Sequence, residues 1–298
     1  MKRIILYLTT IAAAALLDAQ SSGPRTFNSS EEARDALVQA APAGLNAIRD
    51  LMGPGSAEIL TTGDAVLDKN IVARFQRQTA EKVQLAPDEM NPDRVVLLVG
   101  AEEWPFALPL LRKNGRWYFD VNEGKTEIRN RTIGGNELDA IEVCRGYVEA
   151  QQMYVAKEWG ESGAPEYAKR IVSSPGKKDG LYWPGDESPL SERFARAVAE
   201  GYLRPTATRQ EYHGYYYKVL NSQGPAAENG ARDYIIHDLM IGGFALIAWP
   251  AQYGVSGIKT FIVNQDEIVY EKDLGLQTGT LAKAITKFNP DPSWQASP

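Results

Sequence analysis

Apolar residues in the first part of this chain recur at the spacing of amphipathic helices. The segment FNSSEEARDALVQAA places Ser29 and Ser30 as candidate N-caps before a first turn that carries glutamates, an arrangement that favours a helix start. The same spacing predicts helices over residues 45–52 and 67–81. We therefore expect several short helices near the N-terminus.

The pattern then changes to strand spacing. RVVLLVG predicts a strand, and WPFALPLLRKNGRWYFDV predicts a hairpin, because Asn114-Gly115 supplies the positive φ angles of a tight turn. Helical spacing returns in NELDAIEVCRGYVEAQQMYVAKEW. Asn136 is the candidate N-cap of this long helix, which we expect to run from Glu137 to about Glu158.

The remainder of the chain is mostly strand-like. An aromatic loop over residues 160–189 precedes a predicted helix over 190–201. Four strands are then predicted in HGYYYKVL, RDYIIHD, FALIAWPA and KTFIVNQDEIVYEKDLG, with NQDE as a hairpin turn, and a last helix is predicted in TLAKAITKF. Residues 244–249 are apolar on both alternating faces, which predicts a central strand buried on both sides.

These elements predict an α+β fold with two domains. Residues 20–125 are expected to form N-terminal helices plus a small antiparallel sheet. Residues 126–298 are expected to form a long helix packed on a four-stranded antiparallel sheet. The helix-wrapped sheets of nuclear-transport-factor-like proteins show a pattern similar to that of the first domain.

The N-terminus has the pattern of a signal peptide over residues 1–19. Lys2 and Arg3 precede an apolar run, Ile4 to Leu17, that is shorter than the roughly 20 residues a membrane-spanning helix needs. We therefore expect an exported protein, periplasmic or secreted, with no stable membrane span after cleavage. An uncleaved N-terminal membrane anchor is the alternative.

Charge and cysteine content restrict the partners and the chemistry. The net charge is −6 with basic residues dispersed along the chain, so nucleic acid is not an expected partner. Cys144 is the only cysteine, which excludes an intrachain disulfide, and its place in the predicted helix indicates a buried side chain. The sequence indicates no oligomeric state.

Motifs for metals, cofactors and nucleophiles are incomplete. His213 and His237 fall on different predicted strands without metal-binding spacing, so we expect no metal site and no cofactor. Gly254-Val255-Ser256-Gly257 departs from the G-x-S-x-G elbow of hydrolases, because the second glycine directly follows the serine. Ser256 is therefore interpreted as a turn residue.

Aromatic and charged residues concentrate in the predicted loops, where they form the candidate binding site. Aromatic faces in loops bind sugars, peptides or partner chains, which favours an envelope protein or a glycan as partner and a non-enzymatic binding or envelope-associated role. The opposing interpretation is that these side chains cover the edges of the core. The candidate binding residues are Lys177, Asp179, Tyr182, Trp183, His213 and Tyr216.

Other functions stay open from the sequence. A hydrolase or another enzyme with a non-standard site would draw on Lys177, Asp179, His213 and Asp273. A small-ligand-binding protein would use the first domain, around the aromatic residues Trp104, Phe106 and Trp117.

Several segments also carry a family resemblance. NELDAIEVCRGYVEAQQMY, SSPGKKDGLYWP, YHGYYYKVLNSQGPAA, MIGGFALIAWPAQYGVSGIKTFIVNQDEIVYEKDLG and FNPDPSW resemble the bacterial exported-protein family catalogued as domain of unknown function 2950, in order and in spacing. Membership implies no established activity, cofactor or catalytic residue. Glu267 stands in the NQDE turn where the family more often has glycine.

A second resemblance concerns the C-terminal half. Its long helix, variable aromatic loop and following strands are similar to the globular heads of type IV pilin-like and pseudopilin proteins. This resemblance implies a pilin-head-like fold. Residues 1–30 lack the prepilin-peptidase site of those proteins, so assembly into a pilus is not expected.

Overall fold

The structure, a computed structural model, describes residues 23–61, 65–160, 162–185, 187–190 and 211–298. The predicted signal peptide and residues 191–201 of a predicted helix lie outside these ranges. The chain divides into two compact units, Met1–Ile128 and Arg129–Pro298. Within the described ranges, no helix is both long and apolar enough to cross a membrane.

The first unit begins with helices at the predicted places. They are α1 (Ser30–Ala40), α2 (Leu45–Met52) and α3 (Ala65–Glu81). The Ser29 hydroxyl accepts a hydrogen bond of 3.1 Å from the backbone N–H of Glu32. This contact confirms Ser29 as the N-cap of α1, because it satisfies one of the free N–H groups of the first turn.

The first unit also contains an antiparallel sheet. Its strands are β1 (Val83–Pro87), β2 (Arg94–Val99), β3 (Trp104–Pro105), β4 (Leu110–Lys113) and β5 (Arg116–Phe119). Their order is β1-β2-β4-β5, with β3 also paired to β2. The β4–β5 hairpin confirms the predicted tight turn, since Asn114 and Gly115 have φ of 52° and 73°. Strand β1 was not predicted, because this edge strand is short, has no fully buried residue and follows directly on the end of α3.

Helix α4 (Val121–Ala156) is longer than predicted and begins well before Asn136. The Asp120 carboxylate accepts a hydrogen bond of 2.8 Å from the backbone N–H of Glu123, so Asp120 caps the helix start. The glycines at 134 and 135 lie inside the helix and do not end it. The prediction of Asn136 as the N-cap is therefore wrong.

The second unit adds the remaining strands and one more described helix. The strands are β6 (Tyr215–Leu220), β7 (Ser222–Gln223), β8 (Arg232–Asp233), β9 (Ile235–Ile236), β10 (Leu239–Met240), β11 (Ala245–Pro250), β12 (Lys259–Asn264), β13 (Tyr270–Asp273) and β14 (Gln295–Ala296). Helix α5 (Thr278–Ala284) lies where the last helix was predicted. The main sheet is antiparallel and has the order β14-β13-β12-β11-β6.

The main sheet has five strands where four were predicted, and one of the predicted strands lies outside it. The segment RDYIIHD leaves the sheet and forms the short pairs β7–β8 and β9–β10. His237 and Asp238 have φ of 50° and 64°, so the chain turns back on itself after β9 instead of extending. Strand β14 at the C-terminus takes an edge position in the sheet.

Strand β11 is the centre of the second unit. All its residues are buried, as predicted, and it lies between β6 and β12. Helix α4 packs into the same core through Cys144 and Tyr147, and the Tyr147 ring meets the edge of Phe244 at a centroid distance of 5.7 Å. The α+β class and the long helix with an antiparallel sheet are thus confirmed, while the pilin-head likeness stays a prediction.

Candidate functional site

A two-residue turn lies directly before β6. His213 and Gly214 have φ of 49° and 69°, and the backbones of Tyr212 and Tyr215 exchange hydrogen bonds of 2.9 and 3.0 Å across them. Positive φ at both central positions is the geometry of a type I′ turn. His213 therefore lies at the tip of a turn, and the prediction that it belongs to a strand is wrong.

The turn lies against helix α4. A Cβ atom at Gly214 would lie 2.6 Å from the Asn136 side-chain nitrogen and 2.9 Å from the Ser256 Cβ, so only glycine fits at this position without displacing a neighbour. The Asn136 side chain donates a 2.8 Å hydrogen bond to the Ser256 carbonyl. The Glu137 carboxylate accepts bonds of 2.9 and 3.0 Å from the backbone N–H groups of residues 258 and 259. These hydrogen bonds hold residues 256–259 to helix α4, and Gly214 packs closely against both.

One turn further along α4, Asp139 meets the histidine. The His213 Nδ1 atom lies 2.7 Å from the Asp139 Oδ2 atom, and the two side chains are 34% and 50% exposed. The Tyr212 ring stands at 83° to the imidazole with a centroid distance of 4.2 Å. The imidazole is therefore held by a carboxylate partner and an aromatic neighbour while it remains open to solvent. Within the described residues, Nε2 has no hydrogen-bond partner.

An open cleft of about 300 Å³ surrounds this pair. Four of its residues lie on α4 at positions i, i+3, i+4 and i+7, which is one face of a helix. No serine, threonine, cysteine or lysine is among the described residues that line it. The lining residues are Asp139, Glu142, Val143, Gly146, Leu190, Tyr212 and His213.

The loop that carries Lys177, Asp179, Tyr182 and Trp183 is held by internal contacts. The Asp179 carboxylate accepts bonds of 2.6 and 2.8 Å from the Ser174 N–H and hydroxyl, and Arg170 lies 3.8 Å away. Burial opposes ionisation of Asp179, but these hydrogen bonds and the Arg170 charge outweigh it, so its pKa is lowered. Asp179 thus closes the loop.

The aromatic side chains of this loop take part in packing. Trp183 is only 6% exposed and meets the Trp159 ring at a centroid distance of 4.8 Å. The Lys178 ammonium lies 5.1 Å from the Trp183 ring centre and 2.8 Å from the Glu187 carboxylate. Tyr182 is partly buried against the same core. This arrangement agrees with the interpretation that loop aromatics cover the core edge.

The other predicted residues lie in different places. Tyr216 is on β6 with its ring 5.9 Å from that of Trp249, and Lys177 is exposed at a turn after Ser174. Asp273 accepts hydrogen bonds from the Tyr253 hydroxyl and the Gly275 N–H at the end of β13. Of the predicted binding residues, His213 lines the cleft and the others are absent from its lining.

Sequence reasoning missed the acidic half of the site. Asp139 and Glu142 stand three residues apart on a helix, and this i, i+3 spacing is the signal that could have placed both on one face. Nothing in the sequence links these two carboxylates to His213, because the histidine comes much later in the chain.

Cys144 faces away from solvent on the same helix. It is fully buried, and burial raises the pKa of its thiol to about 12. A thiol with this pKa stays protonated near neutral pH and is a poor nucleophile. Among the described residues, no group of three or more His, Cys, Asp or Glu side chains could hold a metal ion.

The structure is thus that of an α+β protein with two units. The second unit contains a cleft that is lined by one histidine, two carboxylates and apolar residues. Residues 24–297 match the family described as "Protein of unknown function (DUF2950)", and the chain belongs to that family. No curated protein and no solved structure matches the chain.

Proposed function

We propose that the protein is exported and acts as a non-enzymatic binding module of the bacterial envelope, with the cleft beside His213 as its binding site. The observation that carries this proposal is the open cleft with an oriented, partly exposed histidine. Binding sites are concave, largely apolar and supplied with a small number of fixed polar groups, and this cleft has those properties.

The lining supports binding more than covalent catalysis. Ser, Thr, Cys and Lys nucleophiles are absent from the described lining of the cleft. Acyl transfer also requires hydrogen-bond donors aimed at the developing oxyanion, whereas the Asp139 and Glu142 carboxylates are acceptors. The side chains that orient His213 are thus suited to holding a ligand.

Site-specific photo-crosslinking in the producing cell tests this proposal. A benzophenone amino acid replaces Glu142 in the cleft or, as the matched control, the exposed Glu149 on the same helix. We expect an envelope component to crosslink at position 142 and not at 149, and the crosslink to disappear when His213→Ala is added. Equal crosslinking at both positions, or a crosslink indifferent to His213→Ala, would contradict the binding site. Recovery of the full-length chain from the cytoplasmic fraction alone would contradict export.

The His213–Asp139 pair favours one second candidate, a hydrolase that uses His213 as general base. In the tautomer with its proton on Nδ1, 2.7 Å from Asp139, His213 can take a proton from water at Nε2, and the carboxylate stabilises the imidazolium that forms. Activity profiling of the pure protein against ester, amide and glycoside libraries tests it. Turnover lost in His213→Ala but kept in Lys177→Ala would replace the binding proposal with this one.

A further inference from the structure

We infer that the cleft beside His213 binds an alkylammonium group, the charged end of an aliphatic primary amine. The inference rests on the proposed function, because it names the chemistry of the ligand at the same site. It is argued from the hydrogen-bonding character, the shape and the charge of the residues that line the cleft.

The polar side chains of the cleft offer acceptors. In the neutral tautomer that carries its proton on Nδ1, 2.7 Å from Asp139, the His213 imidazole offers Nε2 as an acceptor. One Glu142 oxygen accepts from Arg145 at 2.8 Å, and its other oxygen makes no bond within the described residues. The Asp139 Oδ1 atom is likewise an acceptor. A complementary ligand must therefore donate hydrogen bonds.

An ammonium group matches this set better than a guanidinium. It carries three N–H donors around one point charge, and the cleft supplies acceptors from Asp139, Glu142 and His213. A guanidinium prefers a planar, bidentate contact with one carboxylate, but Asp139 and Glu142 each already use one oxygen elsewhere.

The apolar part of the lining suits a methylene chain. Val143 and Leu190 contribute aliphatic side chains, and the Tyr212 ring adds an aromatic surface that attracts cations. At Gly146 a Cβ atom would meet nothing within 4 Å, so the helix leaves open space at this point of the cleft. The geometry thus combines an acceptor-lined end with room for an aliphatic stem.

Titration of the folded full-length chain with small amines, followed by NMR and calorimetry, tests the inference. The probes are n-butylamine as a free amine and Nα-acetyl-lysine methylamide as a peptide-like lysine, with n-butanol as the neutral control. We expect both amines to saturate the same resonances below about 10 mM, the range of weak single-group binding, and the alcohol to show no saturation. Tighter binding of the lysine derivative would indicate a protein segment as the source, and tighter binding of butylamine a free amine.

Two kinds of variant separate this contact from a general effect on the fold. Asp139→Asn with Glu142→Gln keeps the shape but removes the charge, and we expect at least tenfold weaker binding. Gly146→Leu fills the cleft and should abolish binding, whereas Gly134→Leu is the matched control, a glycine of the same helix that also has open space and lies outside the lining. No saturation by either amine, or unchanged affinity in both cleft variants, would overturn the inference. If position 142 crosslinks to an envelope component but neither amine binds, the proposed binding function is retained and only the alkylammonium ligand is rejected.

Discussion

The imidazole of His213 meets the carboxylate of Asp139 at 2.7 Å, and this contact connects a two-residue turn to helix α4. Neither side chain is fully buried, since they are 34% and 50% exposed. A partly exposed pair of this kind contributes little to stability. Its main consequence is a fixed orientation of the histidine ring.

We accordingly expect Asp139→Asn to lower the free energy of unfolding by less than about 1 kcal/mol, because solvent screens the pair. Urea unfolding followed by circular dichroism measures this change. Glu149→Gln, at an exposed position on the same helix outside the cleft lining, is the control for loss of one surface carboxylate. A loss above about 2 kcal/mol would show that the pair has a structural role beyond orientation.

Gly257→Ala should destabilise the second unit by about 1–3 kcal/mol, the usual range for overpacking. A Cβ atom at this position would collide with the hydroxyl of Tyr215, whose ring is fully buried and cannot move away. Gly135→Ala is the opposite case, because it lies exposed inside α4 with nothing near its Cβ. We expect it to stabilise by about 0.5–1 kcal/mol through helix propensity. Thermal unfolding of both variants compares the two effects, and equal signs would refute this account.

Glu267→Gly should raise the free energy of unfolding by about 1 kcal/mol, because Glu267 has a φ of 67° in the turn between β12 and β13. Asp266→Gly, at a neighbouring position without positive φ, should destabilise instead. Glu267→Gly also removes a hydrogen bond that the Glu267 carboxylate accepts from Gln152, and Gln152→Ala measures the cost of that loss separately. Chemical denaturation measures the free energy of unfolding of each variant. A lower value for Glu267→Gly than for the wild type would contradict backbone strain at this position.

Stability should fall in alkaline solution partly because of Cys144. Burial raises its pKa to about 12 in the folded chain, from an ordinary value of 9.0. Above about pH 9 the unfolded thiol loses its proton while the folded thiol keeps it, so unfolding becomes more favourable by up to about 1.4 kcal/mol per pH unit until the folded pKa is reached. Tyr234, whose pKa is raised to about 12 by burial, acts in the same direction.

The free energy of unfolding of the wild type and of Cys144→Ala, measured by urea between pH 7 and about 10.5, isolates the contribution of the thiol. The variant should be less stable at pH 7 because of the cavity, and its disadvantage should shrink as the pH rises. If the free energies of unfolding of the two proteins change with pH in parallel, the thiol has the same pKa in the folded and unfolded states.

Trp183→Ala should cost about 3–5 kcal/mol, as for other buried tryptophans, because the ring packs in the core against Trp159. Trp104→Ala removes the same side chain where it is 58% exposed, and should cost about 1 kcal/mol or less. Thermal unfolding of the two variants measures the difference. If Trp183→Ala has almost no effect on thermal stability, the ring contributes little to the core, and Trp183 is again a candidate binding residue.

Local physics made part of this fold predictable. The capped start of α1, the Asn114-Gly115 hairpin and the buried strand β11 follow from a side-chain cap, from positive φ angles and from an unbroken apolar run. Each of these signals acts between residues that are close together in the chain. The family resemblance came from the same kind of signal, in ordered motifs.

The remaining features depend on contacts between distant segments. Asn136 has the side chain of a helix cap, yet in the fold it donates to the Ser256 carbonyl while the helix continues through it. RDYIIHD has the composition of a sheet strand, but β14 takes a place in the sheet instead. His213 and Asp139 become partners only when the turn packs on α4, because periodicity reports which face a side chain occupies and not which distant residue it will meet.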